Sequence, residues 1–225
     1  VAPTSVGDNW ERETEKFTPG LRALLYRDSD RAALIEAAGD NDLVIVSYQL
    51  LQRDAKRFAS RAWHTLVLDE AQFIKNSQTK TSQAVRQLDA DWRIGLSGTP
   101  LENHLGELWS LFRTISPGLL GSWERFRTRF ADPIERHKDD ERRQSLARLV
   151  RPFILRRTKN TVLKELPPRT EVTLQAELSP AERKLYEDTR LAALAELSGA
   201  GEDSQQAGQK RIRTLAWLTR LRQLA

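Results

Sequence analysis

Apolar positions fall into short continuous runs over the first two-fifths of the chain and into helical spacing after it. Val1–Pro3 reads as the tail of a strand. Thr4 or Ser5 is placed to cap a helix running to about Phe17, which Thr18-Pro19-Gly20 stops. Leu21–Tyr26, Leu43–Val46, Leu66–Leu68 and Arg93–Leu96 read as strands. Ser29–Ala38, Tyr48–Ala59 and Thr81–Leu88 read as the helices between them. Continuous apolar runs mark strands buried on both faces, and their alternation with helices predicts βα units and a parallel sheet. After Ser97 the period changes. Leu105, Leu108, Trp109 and Phe112 stand at i, i+3, i+4 and i+7, the spacing of an amphipathic helix. Helical, basic sequence continues to about Val150, with breaks expected at Ser116-Pro117-Gly118 and Asp132-Pro133. An apolar patch, Pro152–Leu155, then meets Arg156-Arg157, and Pro167-Pro168 is a hard break. Glu171–Leu178 alternates like a strand. Ser179-Pro180 with Glu182 predicts a helix start, and that helix extends to about Leu197. Ser198–Gly208 reads as a mobile loop. A closing basic helix carries Ile212, Leu215, Leu218 and Leu221 on one side. No internal repeat is present.

Composition narrows the class. With 225 residues, 39% of them hydrophobic and 30% charged, the chain can hold one large domain or one and a half smaller ones. It has no Cys, which excludes disulfides and thiolate metal sites, and its three His residues lack ligand spacing, which argues against zinc. No apolar stretch approaches a membrane span, and Val-Ala-Pro-Thr-Ser is no signal peptide, so a soluble intracellular protein is expected. Lys and Arg outnumber Asp and Glu by 36 to 31. That balance fits a polyanionic partner, although an ordinary Arg-rich protein shares it. The chain has no Met and opens on Val, which reads as a piece of a longer polypeptide.

Two stretches carry chemistry. In Thr65–Asn76 an apolar run ends abruptly at Asp69 and Glu70. Ligands of open α/β sheets gather at the carboxyl ends of such strands. One carboxylate there can hold Mg²⁺, directly or through water, and its neighbour can orient the water that attacks a γ-phosphate. The same pair also suits a helix N-terminus, where negative charge is favourable. In Arg93–Asn103 a short strand delivers Ser97, Gly98 and Thr99, small residues that let the backbone approach another group. Thr99-Pro100 also reads as a plain helix entry.

Taken together, the motifs resemble one family. Asp69-Glu70-Ala71-Gln72, Leu96–Asn103 and Arg151–Lys159 are similar to successive signatures of the Swi/Snf-like motor ATPases, within the wider group of two-lobed helicase-type proteins. Ala2-Pro3-Thr4-Ser5 with Asn9-Trp10 resembles that family's first DNA-contacting motif, and Asp42–Leu51 the next. Leu166–Arg169 with Leu178-Ser179-Pro180 and Leu185-Tyr186 resembles the passage to the second lobe, and Leu218–Leu224 the segment before a second-lobe motif. The likeness covers nearly the whole chain, in the family's order.

The resemblance implies an ATPase that tracks along double-stranded DNA, reading backbone and not sequence. It implies an α/β fold: a partial RecA-like lobe over 1–115, a helical protrusion over 116–150, the end of that lobe with a linker over 151–168, and the start of a second lobe over 169–225. ATP and Mg²⁺ are the implied cofactors, with Asp69 as the Mg²⁺ carboxylate and Glu70 as the water-activating group. Gln72 would sit near the nucleotide, and Ser97, Gly98 and Thr99 would couple it to DNA. Thr4, Ser5, Ser47, Tyr48 and Asn103 would lie near the DNA track. Arg156, Arg157 and Lys159 would sit at the lobe junction, touching phosphate or bracing the contact. Protein targets on DNA are further implied partners; membrane and zinc are not. The implied place is the cytoplasm, on the nucleoid in a bacterium, or the nucleus in a eukaryote, and the Ala/Arg/Leu-rich composition leans bacterial.

One family element is absent from the sequence. A phosphate-gripping loop needs Gly-Lys-Ser/Thr, and no Gly here precedes Lys. In the family that loop lies upstream of Ala-Pro-Thr-Ser, and the arginines that complete the site lie downstream. The chain alone is therefore expected neither to bind ATP tightly nor to hydrolyse it, and its sheet to have an exposed edge. The alternatives are an RNA helicase of the DEAD/DEAH type, which Asp69-Glu70-Ala71-Gln72 alone does not exclude, and a degenerate lobe that binds DNA or protein.

Overall fold

The apolar runs form strands β1 (Arg22–Leu25), β2 (Asp42–Ile45), β3 (Ala62–Leu68) and β4 (Asp89–Gly95) in a computed structural model. The structure describes residues 1–27, 30–98, 104–158, 162, 165, 170, 172–174, 177–198 and 206–224. β1 pairs in parallel with β2, and β3 with β4. The first two residues join the pairs. Ala2 bridges Ser47 in parallel, and its N–H donates to the Val46 carbonyl at 3.0 Å. The Val1 nitrogen donates to the Val67 carbonyl at 2.7 Å, and the Asp69 N–H donates to the Val1 carbonyl at 2.8 Å. That donor–acceptor pattern is a parallel ladder. The strand tail expected at Val1–Pro3 thus lies between β2 and β3, with all strands pointing the same way. Their carboxyl ends share one edge.

Helices fill the connections: α1 (Gly7–Phe17), α2 (Arg31–Ala37), α3 (Tyr48–Arg53), α4 (Ala55–Ala59) and α5 (Lys80–Arg86). Tyr26, Val46, Tyr48, Leu51, Phe58, Leu66, Leu68, Ile74 and Val85 make one buried cluster around the sheet. After β4 come α6 (Leu105–Ile115), α7 (Trp123–Phe126), α8 (Asp132–His137) and α9 (Asp140–Val150). Their apolar sides enclose a second cluster, including Leu108, Trp109, Phe112, Phe126, Phe130 and Leu146. α6 belongs to both regions. Its Leu111 packs into the sheet cluster, and a Cβ on Gly95 would stand 3.4 Å from Ile115, so β4 and α6 meet closely there. The break at Ser116-Pro117-Gly118 is present, with Gly118 at φ +89°, a backbone that favours glycine.

The chain divides into two units, Val1–Arg156 and Arg157–Ala225. The second contains α10 (Pro180–Ser198) and α11 (Gln206–Leu224). α10 starts with a reciprocal capping box: the Ser179 N–H donates to Glu182 Oε2 at 2.8 Å, and the Glu182 N–H donates to Ser179 Oγ at 3.4 Å.

Several local expectations differ from the structure. Thr4–Val6 form a 3-10 turn and α1 begins at Gly7 without a side-chain cap, because Ala2 is held in the sheet and the chain must turn before a helix can start. The helix expected over Tyr48–Ala59 breaks at Asp54. The Asp54 carboxylate accepts from Tyr26 Oη at 3.0 Å and pairs with Arg31 at 3.3 Å, which holds its backbone at φ −105°, ψ 25°. The break expected at Asp132-Pro133 is absent. Residues Arg127–Ala131 wind as a π turn in which the Asp132 N–H donates to the Arg127 carbonyl, so Pro133 falls in the first turn of α8, where its missing N–H costs little. In the stretch expected as a strand over Glu171–Leu178, residues 172–174 and 177–178 form none. Val172 and Leu174 are 75% and 88% exposed; alternation alone makes no strand without a neighbour to pair with. Pro167-Pro168 and most of the loop expected over Ser198–Gly208 lie outside the described residues.

Candidate functional site

The site forms where β3 and β4 end. The ladder continues past both strands: the Leu96 N–H donates to the Leu68 carbonyl, and the Ala71 N–H to the Leu96 carbonyl, each at 2.8 Å. The chain must fold Asp69 and Glu70 between those two bonds. Glu70 takes the left-handed backbone, φ 49° and ψ 54°, rare for a side chain of its size and a form of strain that clusters at functional sites. The 3-10 turn Ala71–Ile74 follows, and both Ser82 and Ser110 donate to its Ile74 carbonyl, at 3.1 and 2.9 Å. The two acids therefore sit on a turn fixed at both ends.

Each acid has defined partners. Asp69 Oδ1 accepts from the Glu70 N–H at 3.0 Å, and Asp69 Oδ2 accepts from Trp10 Nε1 at 2.8 Å. Tyr48 Oη donates to the Asp69 carbonyl at 2.8 Å. Burial, then the negative charges of Asp69 and Glu70, push the Tyr48 hydroxyl well above its ordinary pKa, so it remains a donor. Its ring stacks on Phe73 at 5.1 Å. Glu70 Oε2 accepts from Gln72 Nε2 at 2.6 Å, and Gln72 Oε1 accepts from Ser97 Oγ at 2.9 Å. A continuous chain of hydrogen bonds thus runs from Ser97, beyond the end of β4, through Gln72 to Glu70.

The structure brings Asp69, Glu70, Gln72, Ser97 and Tyr48 together. Tyr48, expected beside DNA, is 2% exposed and holds the Asp69 carbonyl instead. Ser47 caps α3, its Oγ accepting from the Leu50 N–H at 3.2 Å. Thr4 and Ser5 are exposed on the 3-10 turn before α1. Gly98 is exposed next to Ser97. Arg156 and Arg157 are exposed at the border of the two units. Thr99, Asn103 and Lys159 lie outside the described residues. Sequence reasoning gave no role to Trp10. It stood there only within the Asn9-Trp10 part of the first DNA-contacting likeness; the signal for its contact with Asp69 was chemical, since an indole N–H near a core needs an acceptor.

Among the described residues no cluster of three or more His, Cys, Asp or Glu is arranged to hold a metal ion. Mg²⁺ that accompanies a nucleotide is commonly held by one or two carboxylates plus phosphate oxygens, not by an all-protein cage. Asp69, at a strand end with hard oxygen donors and a fixed orientation, fits that part. Among the described residues no helix is long and apolar enough to cross a membrane.

A sequence profile for the SNF2-related domain matches residues 1–225. This chain belongs to the SNF2-related domain family. Within that family it is 44% identical over 195 residues to the Bacillus subtilis protein YwqA, named for ATP-dependent helicase/translocase activity; the alignment covers 83% of this chain and 21% of YwqA. It is 34% identical over 201 residues to the TATA-binding protein-associated factor MOT1 of Saccharomyces cerevisiae, covering 84% of this chain and 11% of MOT1. The SWI2/SNF2 ATPase core of Sulfolobus solfataricus, solved in complex with double-stranded DNA, superposes with a TM-score of 0.65 at 35% identity, over 99% of this chain and 46% of that one. The SNF2-related chain thus spans about a fifth of the length of its Bacillus relative and under half of the archaeal core. The parallel sheet with helices in its connections is the RecA-like α/β architecture of that core.

Proposed function

We propose that this chain forms part of an ATP-driven motor that moves along double-stranded DNA. The observation that carries the reading is the hydrogen-bonded line Ser97–Gln72–Glu70 beside Asp69, at the shared carboxyl edge of β3 and β4. In this reading Asp69 presents a carboxylate oxygen to the Mg²⁺ that accompanies ATP, and that ion neutralises charge on the phosphates. Glu70 orients the attacking water and takes up its proton. Gln72 holds the Glu70 carboxylate, and Ser97, with Gly98 and Thr99 next in sequence, couples the state of that contact to DNA. Thr4, Ser5, Ser47 and Asn103 face the DNA backbone, and Arg156, Arg157 and Lys159 act at the passage to a second lobe. Similarity to a core solved with double-stranded DNA supports DNA over RNA as the track. MOT1's name makes a DNA-bound protein a reasonable target class. We further propose that these 225 residues alone do not turn over ATP, because no Gly-Lys pair is present to grip its phosphates.

The test is ATP turnover by a longer polypeptide that carries this chain with the rest of a motor core, measured without nucleic acid and with duplex DNA, single-stranded DNA or RNA. Stimulation by duplex DNA, lowered in Glu70→Gln by about a hundredfold or more, is the expected result. Stimulation by RNA alone would move the chain to the RNA-helicase alternative, and turnover unchanged in Glu70→Gln would remove Glu70 from the chemistry.

A further inference from the structure

Trp10 stands 59 positions from Asp69 in sequence, yet its indole N–H donates to Asp69 Oδ2 at 2.8 Å. The contact is built from several sides. The Asp69 N–H is held by the Val1 carbonyl, the Asp69 carbonyl by Tyr48 Oη, and Asp69 Oδ1 by the Glu70 N–H. Trp10 bonds the other carboxylate oxygen, Oδ2, and does so from a different element. That element is α1, which begins directly after the exposed turn Thr4–Val6. Within α1, Thr14 Oγ1 donates back to the Trp10 carbonyl at 2.7 Å, and Thr14 is buried at 5% exposure. Gly7 lies against Leu25 and Ile45, so the start of the helix rests on β1 and β2.

Resting on the motor reading above, we infer that Trp10 is a positioning residue. Its indole N–H fixes the rotation of the Asp69 carboxylate, and through α1 it ties that rotation to the Thr4–Val6 turn. Partners that orient a ligating carboxylate commonly matter about as much as ten- to a hundredfold in metal affinity. A neutral N–H donating to a carboxylate is a charge-assisted bond, shorter and stronger than a neutral pair. Removing it frees the carboxylate to rotate, without unpacking the helix if the replacement keeps the ring's shape. A push on Thr4 and Ser5 then no longer reaches Asp69.

Three measurements test this. In the 225-residue chain the indole N–H resonances of its six tryptophans are recorded by nitrogen-15 NMR, with the Trp10 peak assigned by its loss in Trp10→Phe. Asp69→Asn is expected to shift the Trp10 peak and leave the other five indole peaks in place; an unmoved Trp10 peak overturns the contact. In the longer polypeptide, binding of a fluorescent ATP analogue is titrated with Mg²⁺. Trp10→Phe is expected to raise the half-saturating Mg²⁺ by about tenfold. Benzothienylalanine at position 10, which keeps the bicyclic shape and lacks the N–H, is expected to behave like Phe; wild-type behaviour there would show that packing alone matters and would overturn the inference. Finally, the ratio of duplex-DNA-stimulated to basal turnover should fall in both variants. An unchanged ratio refutes the tie between the turn and the carboxylate. A wild-type polypeptide with no response to duplex DNA would sink the translocase reading, while the NMR and Mg²⁺ titrations still decide the role of Trp10.

Discussion

Two helices that each carry an apolar stripe end in opposite surroundings. α6 carries Leu105, Leu108, Trp109 and Phe112, and all four are buried at 9% exposure or less. α11 carries Ile212, Leu215 and Leu218, which are 70%, 64% and 56% exposed. The half-buried positions of α11 are Thr214, Trp217, Leu221 and Leu224, a neighbouring face. There Trp217 Nε1 donates to Glu196 Oε2 of α10 at 3.2 Å, and Arg213 lies 4.0 Å from the same carboxylate. Periodicity states that a helix has an apolar side. Whether that side is covered depends on what the rest of its unit supplies. α6 has the sheet on one side and α7 to α9 on the other, whereas α11 has α10.

The sharpest way to break this comparison is to cut one apolar side chain from each region. Phe112→Ala removes a side chain that is 1% exposed and belongs to the helical cluster. It should lower unfolding stability by about 3–5 kcal/mol. Leu215→Ala should stay within about 0.5 kcal/mol. Urea unfolding followed by tryptophan fluorescence reads both, and comparable losses would mean that the stripe on α11 is covered in solution.

The next effect separates the site turn from ordinary turns. Ser82 and Ser110 both donate to the Ile74 carbonyl, and both side chains are fully buried. Either serine to alanine should cost about 1 kcal/mol. The double variant removes both donors and should cost more than the sum of the two. A double-mutant cycle that is simply additive would show that the turn after Asp69 and Glu70 does not depend on that shared acceptor.

Much of the first unit was legible from the chain alone, for a physical reason. Strand and helix positions such as Leu43–Val46, Leu66–Leu68 and Leu105–Phe112 follow from local apolar period, and burial agrees with it. The strand end before Asp69-Glu70 was legible because the apolar run Leu66–Leu68 stops there, and β3 ends at Leu68. What stayed hidden depends on contacts made at long range. Glu70's left-handed backbone is imposed by the bonds of Leu96 to both of its flanks. Trp10 finds its acceptor through the position of Val1–Ala2 between two strand pairs. Tyr48 is placed near the DNA track by motif, and in the fold it is buried in the sheet cluster with its hydroxyl on the Asp69 carbonyl. Pro133 reads as a breaker until a π turn absorbs it.

A smaller effect is expected in the second unit. Its ordered start at α10 is fixed by the Ser179–Glu182 box, and the Ser179 hydroxyl and its backbone N–H hold Glu182 below the usual carboxylate range. Ser179→Ala should cost about 1 kcal/mol. It should speed amide exchange in the first turn of α10 and leave the urea midpoint of the first unit unchanged. A shift in that midpoint would show that the two units unfold together.

The smallest effect contrasts two aspartates at opposite ends of the strands. Asp69 closes β3 among groups that position it, while Asp42 opens β2 as the register partner of Arg22 on β1. Arg22 Nε and Nη2 donate to the two Asp42 oxygens at 2.8 and 2.7 Å, and the Gly39 N–H donates to Oδ2 at 2.7 Å. The Arg22 contact first, and the Gly39 amide second, hold the Asp42 carboxyl down at about 2. A carboxyl lowered on folding stabilises the fold above its ordinary pKa of about 4, and that stabilisation fades as pH falls toward about 2. Arg22 is 64% exposed, so solvent screens the pair and the gain is modest. Stability of the wild-type chain should therefore drop more steeply between about pH 4 and about pH 2 than that of Asp42→Asn. Identical slopes would mean that the Arg22–Asp42 pair sets the register of β1 on β2 without adding to its stability, which would leave the chain's polar network concentrated at the end of the sheet that carries Asp69.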